Sequence, residues 1–128
     1  MTWLFVWLGW FFWAITRFFV TKWATIFWTH FPYGTLIVNL LWSFIIWVLF
    51  SLFEEIPYID PKLKSLLTTG FLGALTTYST FALESFFMID RGNYQHFMIN
   101  ISANLIWTIL FAGLGFYLVK LFFRWKGI

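Results

Sequence analysis

Apolar residues run in long blocks along this chain, and charge enters at the seams between them. Met1 to Thr16 carries no charge, and the apolar run resumes after Arg17 as far as Val20. Gly34 to Phe53 is uncharged throughout; Ser65 to Leu83 is uncharged, Glu84 interrupts, and Ser85 to Ile89 continues. Phe97 to Val119 is again free of charge. A membrane-spanning helix needs about 20 apolar residues. The pattern therefore predicts four spans, at about 3–22, 33–53, 62–90 and 95–122, in a single four-helix membrane domain over 1–128. The connections are short. His30 and Pro32 end the first helix, Pro57 and Pro61 stiffen the second connection, and Arg91-Gly92-Asn93 makes a tight turn. Asp60-Pro61 suits a helix start. The first run lacks a positive start and an A-x-A-like cleavage site, so it reads as a span rather than a signal peptide.

Composition supports that pattern. The 128 residues are 62% hydrophobic and only 10% charged, where a soluble domain carries about 25%. So few charges cannot build a water-facing surface, and so many apolar residues exclude disorder. The absence of cysteine excludes a disulfide framework and a zinc-thiolate site. Eight basic and five acidic residues give a net charge of +3, but the basic ones are scattered at helix ends and form no nucleic-acid surface. An all-α integral membrane protein of the cell membrane remains. Lys62, Lys64, Lys120, Arg124 and Lys126 fall on the side of the termini, against Arg17, Lys22 and Arg91 on the other. That bias leans towards cytoplasmic termini and is weak enough to suit a chain that inserts both ways.

The third span is the polar one. Thr76, Thr77, Tyr78, Ser79 and Thr80 follow one another after Gly73, and this is poor helix material. A helix broken there would need its freed backbone buried in protein or facing a water cavity. Its first half would offer carbonyls to a cation, and its second half hydroxyls and amide protons to an anion. A Ser/Thr-rich packing face on an unbroken helix is the alternative. Asn39 sits mid-span, either as glue between helices or as a pore-lining donor. Asn104 and Thr108 are four apart and share a helix face, with Asn100 and Ser102 nearer the end. Arg17 and Glu84 are ionisable groups near membrane ends, where each can snorkel. Trp3, Trp7, Trp10 and Trp13 form one helical stripe of the kind that contacts lipid or packs.

Gly34-Thr35-Leu36-Ile37-Val38-Asn39, the run Thr68 to Phe81 and Gly92-Asn93-Tyr94 stand in the order and spacing of the Fluc (CrcB) family of fluoride channels. The resemblance covers about Pro32 to Gly115. It implies a four-helix subunit that pairs with a second copy, or with a paralogous subunit, as an antiparallel dual-topology dimer. The third helix would break at its centre, and a structural sodium ion would rest on backbone carbonyls at Gly73 and Thr76. The same resemblance implies a fluoride path past Asn39, Tyr78 and Phe81, with Ser79, Thr80 and Thr108 as its hydroxyl track. Glu84 would stand near one pore mouth, and Arg17 matches the first-helix arginine.

The chain departs from that pattern in several places. Tyr78 replaces the usual phenylalanine, Ala74 the second glycine of the break, and Ala112 a hydroxyl residue of the track. Trp10, Trp13, Trp42, Trp47 and Trp107 occupy stretches that are usually rich in Gly and Ala. Three functions follow as candidates. Passive, fluoride-selective efflux from the cytoplasm is the first. A non-conducting subunit, plugged by tryptophan, is the second. A small multidrug-type transporter is the third, and it needs a carboxylate in the membrane; no Asp or Glu precedes Glu54. An enzyme is not expected, because Glu84, Asp90, His30 and His96 have no nucleophile-base or metal-ligand spacing.

Overall fold

A computed structural model describes residues 2–27, 31–56, 58–70 and 78–127, and these are helical apart from the connections. Helix α1 covers Thr2–Phe27 and α2 covers Tyr33–Glu55. A short α3, Pro61–Ser65, runs into a π-helical turn over Leu66–Gly70. Helix α4 covers Tyr78–Asp90 and α5 covers Tyr94–Lys126. No strand occurs among the described residues. Three helices are long and apolar enough to cross a membrane: Trp3–Trp23 within α1, all of α2, and all of α5. These match the first, second and fourth expected spans. The third, expected over 62–90, is described as helix on either side of 71–77, and those seven positions lie outside the described residues.

Local chemistry explains the ends. Asp60 caps α3 by accepting the Lys62 backbone N–H at 2.7 Å, with Pro61 at the first helical position. The α4–α5 turn closes as a Schellman motif: Asn93 N–H donates to Met88 O and Gly92 N–H to Ile89 O. Gly92 takes φ +71°, a conformation that costs a side-chain-bearing residue about 1–2 kcal/mol. At a rise of 1.5 Å per residue, the 33 residues of α5 extend about 50 Å, well beyond a hydrocarbon core of about 30 Å. Its last turns, with Arg124 and Lys126, therefore emerge into the headgroup region.

Helices α2 and α5 form the most extensive packing, with α1 against α2 and the π-helical turn, and α4 against α5. Gly115 permits the close approach: a Cβ there would overlap the Phe44 carbonyl oxygen. Beside it, Ser51 Oγ donates to Phe116 O at 3.2 Å. Along the expected stripe, of the kind that contacts lipid or packs, Trp3, Trp7 and Trp10 are exposed and Trp13 packs. Trp13 is buried because its ring packs on Trp42 of α2. Towards the termini, Lys120 Nζ lies 3.1 Å from Glu54 and 3.8 Å from Glu55, tying the ends of α2 and α5 together.

Candidate functional site

The buried interior of this chain is unusually polar. Thr35, Ser51, Ser85, Asn100 and Asn104 are all buried, alongside few large apolar side chains. Buried amides and hydroxyls must find partners, and here they find one another. Asn39 Nδ2 of α2 donates to Asn104 Oδ1 of α5 at 2.7 Å. Asn104 Nδ2 donates in turn to Asn100 Oδ1 at 3.0 Å and to the Asn100 backbone carbonyl at 2.9 Å. Asn100 Nδ2 reaches Ser85 Oγ of α4 at 3.1 Å. Thr108 Oγ1 donates to the Asn104 carbonyl, one turn back on the same face. Periodicity produces the file: residues 100, 104 and 108 repeat at four on α5 and so fall on one side of it.

A second contact joins α2 to α4. Thr35 Oγ1 donates to Glu84 Oε1 at 2.7 Å. The other carboxylate oxygen, Oε2, is buried with no hydrogen-bond partner among the described residues. Thr35 also lines an open cleft of about 450 Å³, shared with Arg17, Lys22, Thr21 and Thr80. The cleft thus gathers two cationic and three hydroxyl side chains, Thr35 among them.

Among the expected site residues, Asn39, Asn104 and Thr108 belong to the polar file, while Arg17, Thr80 and Glu84 gather around Thr35. Tyr78 and Phe81 face each other along α4, with ring centroids 5.9 Å apart. Tyr78 is 75% exposed on this single chain and Phe81 half-buried. Ser79 is exposed. Gly73 and Thr76 lie outside the described residues. Thr35, Ser85 and Asn100 carry more of the polar interior than their places in the sequence suggested. The signal for Thr35 was its spacing of four from Asn39. Asn100 has the same spacing from Asn104. Ser85 has no periodic partner and becomes visible only when α4 meets α5.

Long apolar helices joined by a hydrogen-bonded polar file define an α-helical membrane protein. The family profile described as CrcB-like protein, Camphor Resistance (CrcB), matches residues 4–116, and the chain belongs to that family. Similar proteins include one from Sulfurimonas denitrificans, 50% identical over 93 residues, which are 73% of this chain and 72% of that protein. One from Nitratiruptor is 49% identical over 104 residues, 80% of this chain and 79% of its own length. One from Campylobacter fetus is 47% identical over 93 residues, with 73% and 72% covered. All three carry the name fluoride-specific ion channel FluC. The family is one of ion channels and not of enzymes.

Proposed function

We propose that this chain is the subunit of a fluoride-selective channel through which fluoride leaves the cytoplasm passively. The observation that carries the reading is the identity of 50% to a protein named a fluoride-specific ion channel. The physics of the site supports it. Fluoride is small and strongly hydrated, so a path must replace its water with donors at close range. Hydroxyls and amides do so without the grip of a buried Lys or Arg, and conduction needs binding that also releases. Asn39, Ser79 and Thr80 supply such donors, Thr108 can join them only by turning its one O–H away from the Asn104 carbonyl, and the rings of Tyr78 and Phe81 offer positive edges to an anion. Arg17 and Lys22 on the cleft would draw anions towards Thr35 and Thr80.

The working unit in this proposal is an antiparallel dimer of four-helix subunits, each with its third helix broken at its centre, near Gly73 and Thr76, as the family resemblance implies. The departure from α-helical geometry at Leu66–Gly70 supports a break just beyond it. Sodium would be held by the backbone carbonyls of Gly73 and Thr76, where it would neutralise carbonyl charge at the crossing of the two breaks. Of the five tryptophans that raise the plugged, non-conducting alternative, Trp10, Trp47 and Trp107 are exposed on the single chain, while Trp13 and Trp42 pack on each other between α1 and α2. The test is efflux of fluoride, beside chloride, from liposomes holding the purified protein. Fast fluoride and negligible chloride efflux are expected. Equal efflux of both would overturn selectivity, and silence from a folded protein would revive the non-conducting subunit.

A further inference from the structure

Hydrogen bonds in the polar file all run one way. Asn39 donates to Asn104, Asn104 to Asn100, and Asn100 to Ser85. One feature fixes that direction. The Asn104 amide also donates to the Asn100 backbone carbonyl, which cannot rotate or accept the other way round. The nitrogen of Asn104 is thereby held towards the α5 backbone, and its oxygen is left facing α2. Only the nitrogen of Asn39 can satisfy that oxygen. Asn100, fully buried, accepts from Asn104 and passes its own N–H to buried Ser85, so the arrangement is enclosed on the α4 side as well.

We propose that Asn104 and Asn100 are positioning residues for Asn39, forming with Ser85 an amide ladder that fixes the plane and polarity of its side chain. The inference rests on the reading of Asn39 as a fluoride-path donor. An asparagine side chain free to turn would present its oxygen to a passing anion about as readily as its nitrogen, because the two ends are alike in shape. An anion path cannot tolerate that, since the carbonyl end repels the ion that the amide end attracts. The ladder removes the choice before the ion arrives, so no reorganisation accompanies dehydration. Asn104 and Asn100 each accept and donate, and such chains strengthen cooperatively in a low-dielectric interior.

The experiment measures fluoride efflux per assembled channel, in liposomes, for the full-length chain and for Asn104→Leu, Asn39→Leu, the double variant, and Ser85→Ala. Asn104→Leu keeps the volume and removes the acceptor, and flux should fall about tenfold. The double variant should be no slower than the slower single one, because both changes abolish the same oriented amide. A merely structural role for Asn104 would instead lower thermal stability and add to the Asn39→Leu loss. Should Asn104→Leu fail to assemble, Ser85→Ala removes only the last acceptor, and a severalfold loss of flux with normal assembly is expected. Wild-type flux in whichever of these variants assembles, or additive losses in the double variant, would overturn the ladder while leaving the channel reading intact. A silent wild-type protein would overturn both.

Discussion

At the residue scale, Thr35 and Phe81 separate structure from conduction. Thr35 is the one donor to the Glu84 carboxylate among the described residues, and the other oxygen is buried with no partner among them. Thr35→Val keeps the shape and strands the carboxylate, so thermal unfolding in detergent should show a loss of about 1–3 kcal/mol. Thr35→Ser should recover most of it, and an unshifted transition for the valine variant would remove this contact from the stability of the fold. Phe81 is argued from its ring. Phe81→Ile keeps most of the volume and loses the positive ring edge, so flux per assembled channel should fall by about tenfold while assembly persists. Full flux from a well-folded isoleucine variant would take the aromatic residues out of the path. Tyr78→Phe removes only an oxygen from an exposed ring, and unchanged or faster flux is expected. Much of this site was legible in the sequence, because an amide or carboxylate inside an apolar run is conspicuous. Asn39, Glu84 and Asn104 announced themselves in that way. Ser85 did not, since a serine costs little in a helix and nothing in its own span marks its encounter with Asn100.

Elements follow from the apolar blocks more simply than from any turn signal. The three long helices begin and end within a few residues of the expected spans, because in lipid an apolar block of that length has no other way to satisfy its backbone. The 62–90 region is where pattern reading runs short. Its β-branched and hydroxyl residues weaken the helix without dictating a geometry, and α3 passes into a π-helical turn that no periodicity foretells. Helix packing was also hidden. Nothing in the spacing distinguishes Gly113 from Gly115, yet the first has open space where a Cβ would go and the second has the Phe44 carbonyl. Gly113→Ala should therefore be neutral. Gly115→Val must push α2 and α5 apart, at a cost of about 1–3 kcal/mol, and the separation would also stretch the Asn39–Asn104 bond. The pair is read by thermal stability and by the elution of the assembled protein. Equal behaviour of the two variants would mean that the α2–α5 approach is looser than the structure shows.

At the scale of the whole molecule, charge and apolar surface bear on how the chain sits in the membrane. Leu105, Ile106, Trp107, Ile109 and Leu110 are all exposed along the middle of α5, a surface for lipid or for a second copy. In the proposed four-span arrangement, Lys120, paired with Glu54 and Glu55, is one of five Lys and Arg residues on the side of both termini, with Lys62, Lys64, Arg124 and Lys126. Three, Arg17, Lys22 and Arg91, would fall on the other side, and so small a difference in Lys and Arg leaves orientation undirected. The proposed antiparallel dimer requires this balance, since one gene product must supply subunits of both orientations. The native chain has no cysteine, so a single one at Gly127, just beyond α5, gives a clean reporter of sidedness. A membrane-impermeant thiol reagent applied to intact cells should label about half of the Gly127→Cys molecules, and the rest only after the membrane is opened. The proposed dimer would carry one C-terminus on either face, so the fraction should stay the same after purification and reconstitution. Labelling confined to one side of the membrane would rule out a dual-topology homodimer and leave a paralogous subunit of opposite orientation, or subunits of parallel orientation, to form the path.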